Sequence, residues 1–186
     1  MKSKVNKSIF IVLALVLLLL LGVPFGFLSG QKQGRVLLSE KIQLPFSVPD
    51  SKKVVLVYLG YVGCQTICIP SLEESAKVFS SLQEREDVAF YFVNISQEAV
   101  GAKEFAQYFH KDFQAVQLPR KETLALMGEL RAYSSDSLVA GGEIYHTGYL
   151  YLIKQEKEGD FRLKALYFTR PFDVQSIISD IKKELQ

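Results

Sequence analysis

The fold turns on residues 54–70, Val-Val-Leu-Val-Tyr-Leu-Gly-Tyr-Val-Gly-Cys-Gln-Thr-Ile-Cys-Ile-Pro. The first six are apolar without a break and rich in β-branched side chains. That is the pattern of a central strand buried on both faces. GYVGCQTICIP then reads as the turn that follows. It holds both cysteines of the 186-residue chain, Cys64 and Cys68, four residues apart.

Downstream, SLEESAKVFSSLQERED over 71–87 has a helical pattern, apolar at Leu72, Ala76, Val78, Phe79 and Leu82. AFYFVN over 89–94 is a second buried strand, and 102–109 is helical. Pro119 stands where a helix can begin, and 121–131 follows in helical pattern. Beyond the Gly141-Gly142 loop, GYLYLI over 148–153 is a strand. KQEKEGD turns, 161–168 returns as its hairpin partner, and 172–185 forms an amphipathic helix. The order β-α-β-α-(α)-β-β-α predicts an α/β, thioredoxin-like fold over 53–186, with a central mixed sheet flanked by helices. In such sheets ligands bind beyond the C-terminal ends of the parallel strands. Cys64 and Cys68 are therefore expected there.

Upstream, residues 9–28 run IFIVLALVLLLLLGVPFGFL without a charge. That is the length of about 20 residues needed to cross a bilayer as a helix. Lys2, Lys4 and Lys7 in the 1–8 flank would stay cytoplasmic, leaving the C-terminal domain outside. A cleaved signal peptide has a shorter apolar region and a small-residue cleavage site, and GVPFGFLSG is a poor one. No cysteine follows closely enough for lipoprotein processing, and no Arg/Ser-rich presequence precedes the span. The expectation is a single-pass anchor in a bacterial inner membrane. Residues 29–52 read as a connector, in which VLLSEKIQLPF forms a short strand pair or lies along the domain. Pro45 and Pro49 oppose long regular structure there.

The chain carries 22 basic and 20 acidic side chains. Three of the basic ones lie in the flank, leaving 19 against 20, a net −1. A balance of that kind excludes nucleic acid as the expected partner. The sequence has no phosphate-binding glycine loop, no G-x-S-x-G and no HExxH.

Two thiols outside the cytoplasm suggest a bridge, a redox pair or a metal clamp. Were both on a helix, their Cβ atoms would lie roughly 5–6 Å apart, whereas a relaxed disulfide wants about 3.5–4.5 Å. That spacing suits a shared metal, whose bonds to sulfur are about 2.3 Å. With Cys64 on the preceding loop, a strained and reducible disulfide becomes accessible instead. A helix N-terminus favours thiolate in every case. The chain has two histidines. His110 ends the helical run KEFAQYFH, where an end-cap role is expected. His146 stands in GGEIYHTGYLYLI, ahead of a strand expected to lie antiparallel to the first, so it returns near the cysteines. Two thiolates and one imidazole suit copper or zinc. Tyr58, Tyr61 and Tyr145 are expected to pack and shield.

VVLVYLGYVGCQTICIPSLEE resembles the strand–turn–helix of Sco/SenC proteins, where an apolar strand leads into Gly-aromatic-x-x-Cys-x-x-x-Cys. IYHTGYLYLI resembles the segment carrying that family's third ligand. The resemblance spans about 53–186, and the anchor agrees with it. It implies a thioredoxin-like copper chaperone that binds the metal through Cys64, Cys68 and His146. The implied client is a respiratory oxidase subunit with a copper centre, such as that of cytochrome c oxidase, or another copper protein. The role would be to deliver copper or to prepare the client's thiols. The alternative is an extracytoplasmic thiol–disulfide oxidoreductase, with Cys64 attacking and Cys68 resolving. Against it, EIYHTG carries no proline where thioredoxin-type reductases hold one.

Overall fold

The computed structural model describes residues 11–13, 16–17, 34–82, 86–97, 100–135, 144–157 and 159–186. The chain divides into two compact units, Met1–Gln33 and Gly34–Gln186. The anchor expected at 9–28 lies outside the described residues apart from 11–13 and 16–17, which are helical and exposed. Among the described residues no helix is long and apolar enough to cross a membrane.

The second unit is built on a six-stranded mixed sheet. Its strands are β1 (Arg35–Ile42), β2 (Val54–Gly60), β3 (Val88–Asn94), β4 (Gln114–Gln117), β7 (Leu150–Lys157) and β8 (Asp160–Tyr167). Their spatial order is β1-β8-β7-β2-β3-β4. β2, β3 and β4 run parallel, while β7 is antiparallel to β2 and β8 to β7. A separate two-stranded ribbon joins β5 (Ser134–Ser135) to β6 (Tyr145–His146). The helices are α1 (Cys68–Ser80), α2 (Ala102–Phe109), α3 (Arg120–Glu129) and α4 (Val174–Glu184).

The unbroken apolar runs follow from burial on both faces of the sheet. Side chains alternate along a strand. Val54, Leu56 and Tyr58 of β2 therefore join Phe90 and Phe92 of β3 beneath α1 and α4. Val55, Val57 and Leu59 join Tyr91 and Val93 on the other face, under Leu126, Met127 and Leu130. Both strands are buried at every position. The Leu56–Leu152 register sets β7 beside β2 as the sequence predicts.

Several elements differ from expectation: the β5–β6 ribbon forms where the sequence reads only as a loop, and residues 154–157, read as part of a turn, extend β7. Residues 35–42, read as connector, form β1 and pair antiparallel with β8. The compact unit thus begins at Gly34, ahead of residue 53. Arg35 secures this edge by an ion pair of 2.6 Å to Asp180 of α4. β4, QAVQ, goes unseen in the sequence because it is four residues long and polar at both ends. Finally, α1 starts at Cys68, not at 71, and stops at Ser80. Pro70 is tolerated in its first turn, where an amide has no intrahelical acceptor. At the other end the Ser81 hydroxyl donates to Lys77 O at 2.8 Å.

Candidate metal centre

β2 ends at Gly60, and the chain turns sharply at its C-terminal edge. Cys64 N–H donates to Tyr61 O at 3.3 Å, and Gly63 has φ of 94°. A turn whose third residue has positive φ favours glycine at that place. Cys64 is thus on the turn, while Cys68 is the first residue of α1. The pair does not share a regular helix, and the turn sets their spacing. The N-terminus of α1 has no side-chain cap. In its place the Cys68 amide donates to Cys64 Sγ at 3.3 Å.

The antiparallel register places the start of β7 opposite the end of β2, with Leu150 facing Tyr58. The segment ahead of β7 therefore emerges at the cysteine edge. His146 lies there in β6, paired with Ser134. Its Nε2 stands 3.5 Å from Cys64 Sγ and 3.4 Å from Cys68 Sγ. The three ligand-type atoms all lie within 4.8 Å of one another. Residues 64 and 146, 82 positions apart in the chain, thus converge as the sequence predicts.

Both cysteines are free thiols and both are buried. Their electrostatics are opposite. A hydrogen bond from Cys68 lowers the Cys64 thiol to about 4, and bonds from His146 and the Ile67 and Cys68 backbone assist against the burial that opposes it. Burial raises the Cys68 thiol far above the ordinary range, and the hydrogen bond to Cys64 and its charge add to this. The pair therefore rests as a Cys64 thiolate accepting from a Cys68 thiol. His146 Nδ1 is buried without a hydrogen-bond partner among the described residues. The nitrogen facing the sulfurs is Nε2.

The aromatic neighbours do more than shield. Buried Tyr61 meets the His146 ring edge-on, with centroids 5.7 Å apart. Tyr58 is fully buried and its hydroxyl donates to Ile67 O at 3.4 Å. Tyr145 is 71% exposed and shields nothing. His110 closes α2 as its C-cap, packed against Phe79 and Phe113, with Nδ1 accepting from Asp112 N–H at 3.3 Å. It takes no part in the cluster.

Two supporting residues escape the sequence reading. A Cβ on Gly60 would meet Cys68 Sγ at 2.8 Å. Arg170 Nη2 donates to Thr147 O at 2.5 Å, fastening the segment beside His146. Gly60 carries no signal beyond its place before the turn. Arg170 lies 24 residues from His146 and can be found only in three dimensions.

Three solved structures share the fold, each at about one-fifth identity. A SCO1/SenC family lipoprotein from Bacillus anthracis matches at TM-score 0.63 and 20% identity, over 82% of this chain and 96% of its own. Arabidopsis thaliana ScoI, solved with copper bound, matches at 0.60 and 21%, over 72% and 84%. BsSco, a Sco-family cytochrome c oxidase assembly protein in which a disulfide switch was identified, matches at 0.56 and 18%, over 80% and 93%. No curated protein sequence matches. The SCO1/SenC family model covers residues 51–186, from just before β2 to the C-terminus, and so takes in the cysteine turn and the histidine segment alike. The chain is therefore a member of the SCO1/SenC family.

Proposed function

We propose that the protein is a membrane-anchored copper chaperone that takes up copper on Cys64, Cys68 and His146 and delivers it to a respiratory copper site, such as that of cytochrome c oxidase. The observation that carries this reading is the convergence of two sulfurs and one imidazole nitrogen within 4.8 Å. The donor set is soft and suits copper. The spacing fits as well. An ion with bonds of about 2.3 Å to sulfur and about 2.0 Å to nitrogen spans the observed sulfur–nitrogen gaps at angles near 105°. Copper bound to ScoI of Arabidopsis and the oxidase-assembly role stated for BsSco support the cargo and the client.

Capture is a substitution. Copper takes the position of the Cys68 proton between the two sulfurs, so that one proton is released. Cys64, already a thiolate, provides the first bond, and His146 Nε2 adds its lone pair once the ring proton has passed to Nδ1, a tautomer shift that releases no further proton. Delivery proceeds by ligand exchange, with client ligands replacing these in turn, and it requires no catalysis. The anchor reading rests on the uncharged run over 9–28 and the lysines before it, which put the domain outside the cytoplasm in a bacterial inner membrane.

One arrangement favours a second reading. A thiolate at Cys64 beside a buried, protonated Cys68 is also the layout of an attacking and a resolving thiol. Here Cys64 attacks a client disulfide and one client sulfur leaves as thiolate. Cys68 then gives up its proton and displaces the second, leaving a Cys64–Cys68 disulfide and a dithiol client. Thiol preparation of this kind would not need His146.

The test uses the reduced full chain in detergent with one equivalent of copper. Bound metal and the thiolate-to-copper charge-transfer band are recorded for wild type and for Cys64→Ser, Cys68→Ser and His146→Ala. Stoichiometric binding, with a band lost or shifted in every variant, is expected. A His146→Ala protein that keeps the wild-type spectrum and affinity, but reduces disulfides normally, overturns the copper reading in favour of the second.

A further inference from the structure

Besides its β5–β6 pairing, the segment that delivers His146 is held by three further hydrogen bonds among the described residues. Thr147 N–H donates to Tyr133 O at 3.0 Å, and Arg170 Nη2 donates to Thr147 O at 2.5 Å. Ile144 N–H donates to the Tyr61 hydroxyl at 3.2 Å. The first anchor ties the segment to the residue just before β5 and the second to the loop after β8. Of the three, only the Tyr61 anchor reaches the turn that carries the cysteines. The same tyrosine closes that turn, since its carbonyl accepts Cys64 N–H at 3.3 Å. Its ring lies against the imidazole at an interplanar angle of 79°. With 8% of its surface exposed, Tyr61 is held in place by packing.

Taking the metal reading above as its basis, we infer that Tyr61 is a positioning residue that couples the cysteine turn to the histidine segment. It sets the 3.4–3.5 Å spacing between Nε2 and the two sulfurs before metal arrives. It binds no metal itself. One end of the residue fixes Cys64 through the backbone, and the other fixes His146 through the amide two residues earlier. Without the hydroxyl, the histidine segment keeps its β5 pairing and its other two anchors but loses this hydrogen bond to the cysteine turn. Ordering it then falls on the binding step and weakens affinity.

Tyr61→Phe keeps the ring and removes the acceptor. In the metal-free full chain in detergent, exchange of the Ile144 amide should accelerate about three- to tenfold, the range of one net hydrogen bond. The Thr147 amide, held by Tyr133, is the internal control and should not change. Cu(I) affinity, measured by competition with a colorimetric chelator, should fall by a similar about three- to tenfold. In a His146→Ala background the same substitution should cost less than about twofold, because no imidazole is left to position. An unchanged Ile144 amide overturns the inference, as does an equal loss of affinity in both backgrounds. A wild type that binds no Cu(I) overturns the metal reading, and the amide exchange still decides whether Tyr61 ties the two segments.

Discussion

Placing a methyl group on Gly60 is the sharpest test of how the site is seated. The added Cβ would lie 2.8 Å from Cys68 Sγ, 2.9 Å from the Phe92 ring and 3.0 Å from the Tyr58 ring. Comfortable contacts are about 3.5–4.0 Å, so all three contacts must open, by roughly 0.5–0.7 Å each. Phe92 and Tyr58 are fully buried in the core, stacked with centroids 6.5 Å apart. Cys68 is also buried, but it stands at the start of a helix beside a turn. The sulfur is the partner with most room to yield, and the two rings must give with it. Overpacking of this kind costs about 1–3 kcal/mol, which for a domain of this size lowers Tm by about 3–10 °C. Displacing one sulfur of the cluster should also raise the Kd for Cu(I) by about tenfold or more. The assay pairs thermal unfolding of the metal-free Gly60→Ala chain with Cu(I) competition. Gly60 has no positive φ, so backbone strain cannot produce these changes. Wild-type Tm together with wild-type affinity would refute the steric argument.

Other consequences follow from the same structure. Cys64 starts as thiolate and Cys68 as thiol, so capture releases one proton and apparent copper affinity should rise about tenfold per pH unit above neutrality. A rise of a hundredfold per unit in pH-dependent competition would show that both thiols start protonated. Asp180 accepts from Arg35 at 2.6 Å and from the Tyr167 hydroxyl at 2.8 Å, largely out of solvent. Asp180→Asn strands the Arg35 charge and should lower the unfolding free energy by about 3 kcal/mol; a urea midpoint equal to wild type would contradict this. Asp173 caps α4 by accepting Ser176 N–H at 3.1 Å, and the bonds from Ser176 hold its carboxyl below the usual range. Because the folded pKa is depressed, this stabilisation is present at neutral pH and is lost as pH falls through that value. Asp173→Ala should therefore cost about 1 kcal/mol at pH 7, and the gap should close under strong acid. A gap independent of pH in urea unfolding would mean that charge plays no part.

The sequence determined the elements whose signal is local. Two strands with apolar residues at both parities can only be buried on both faces, so β2 and β3 were readable from residues 54–59 and 89–94 alone. The same logic gave the hairpin of β7 and β8, the closing helix and the position of the cysteines beyond a strand end. Cys64, Cys68 and His146 were readable as a set because so few thiols and imidazoles compete in the chain. What escaped is non-local. β1 is half polar and β4 is four residues long; each is a strand only because a neighbour supplies the other half of its hydrogen bonds. The helix start at Cys68 depends on a sulfur accepting its first amide, a partner no propensity scale contains. The space for Cys68 against Gly60, the tie from Tyr61 to Ile144 and the fastening of Thr147 by Arg170 all join residues far apart in sequence. Composition names the atoms that can grip a soft ion. Their separation is fixed by the sheet register and by contacts between loops, and these exist only once the chain has closed on itself.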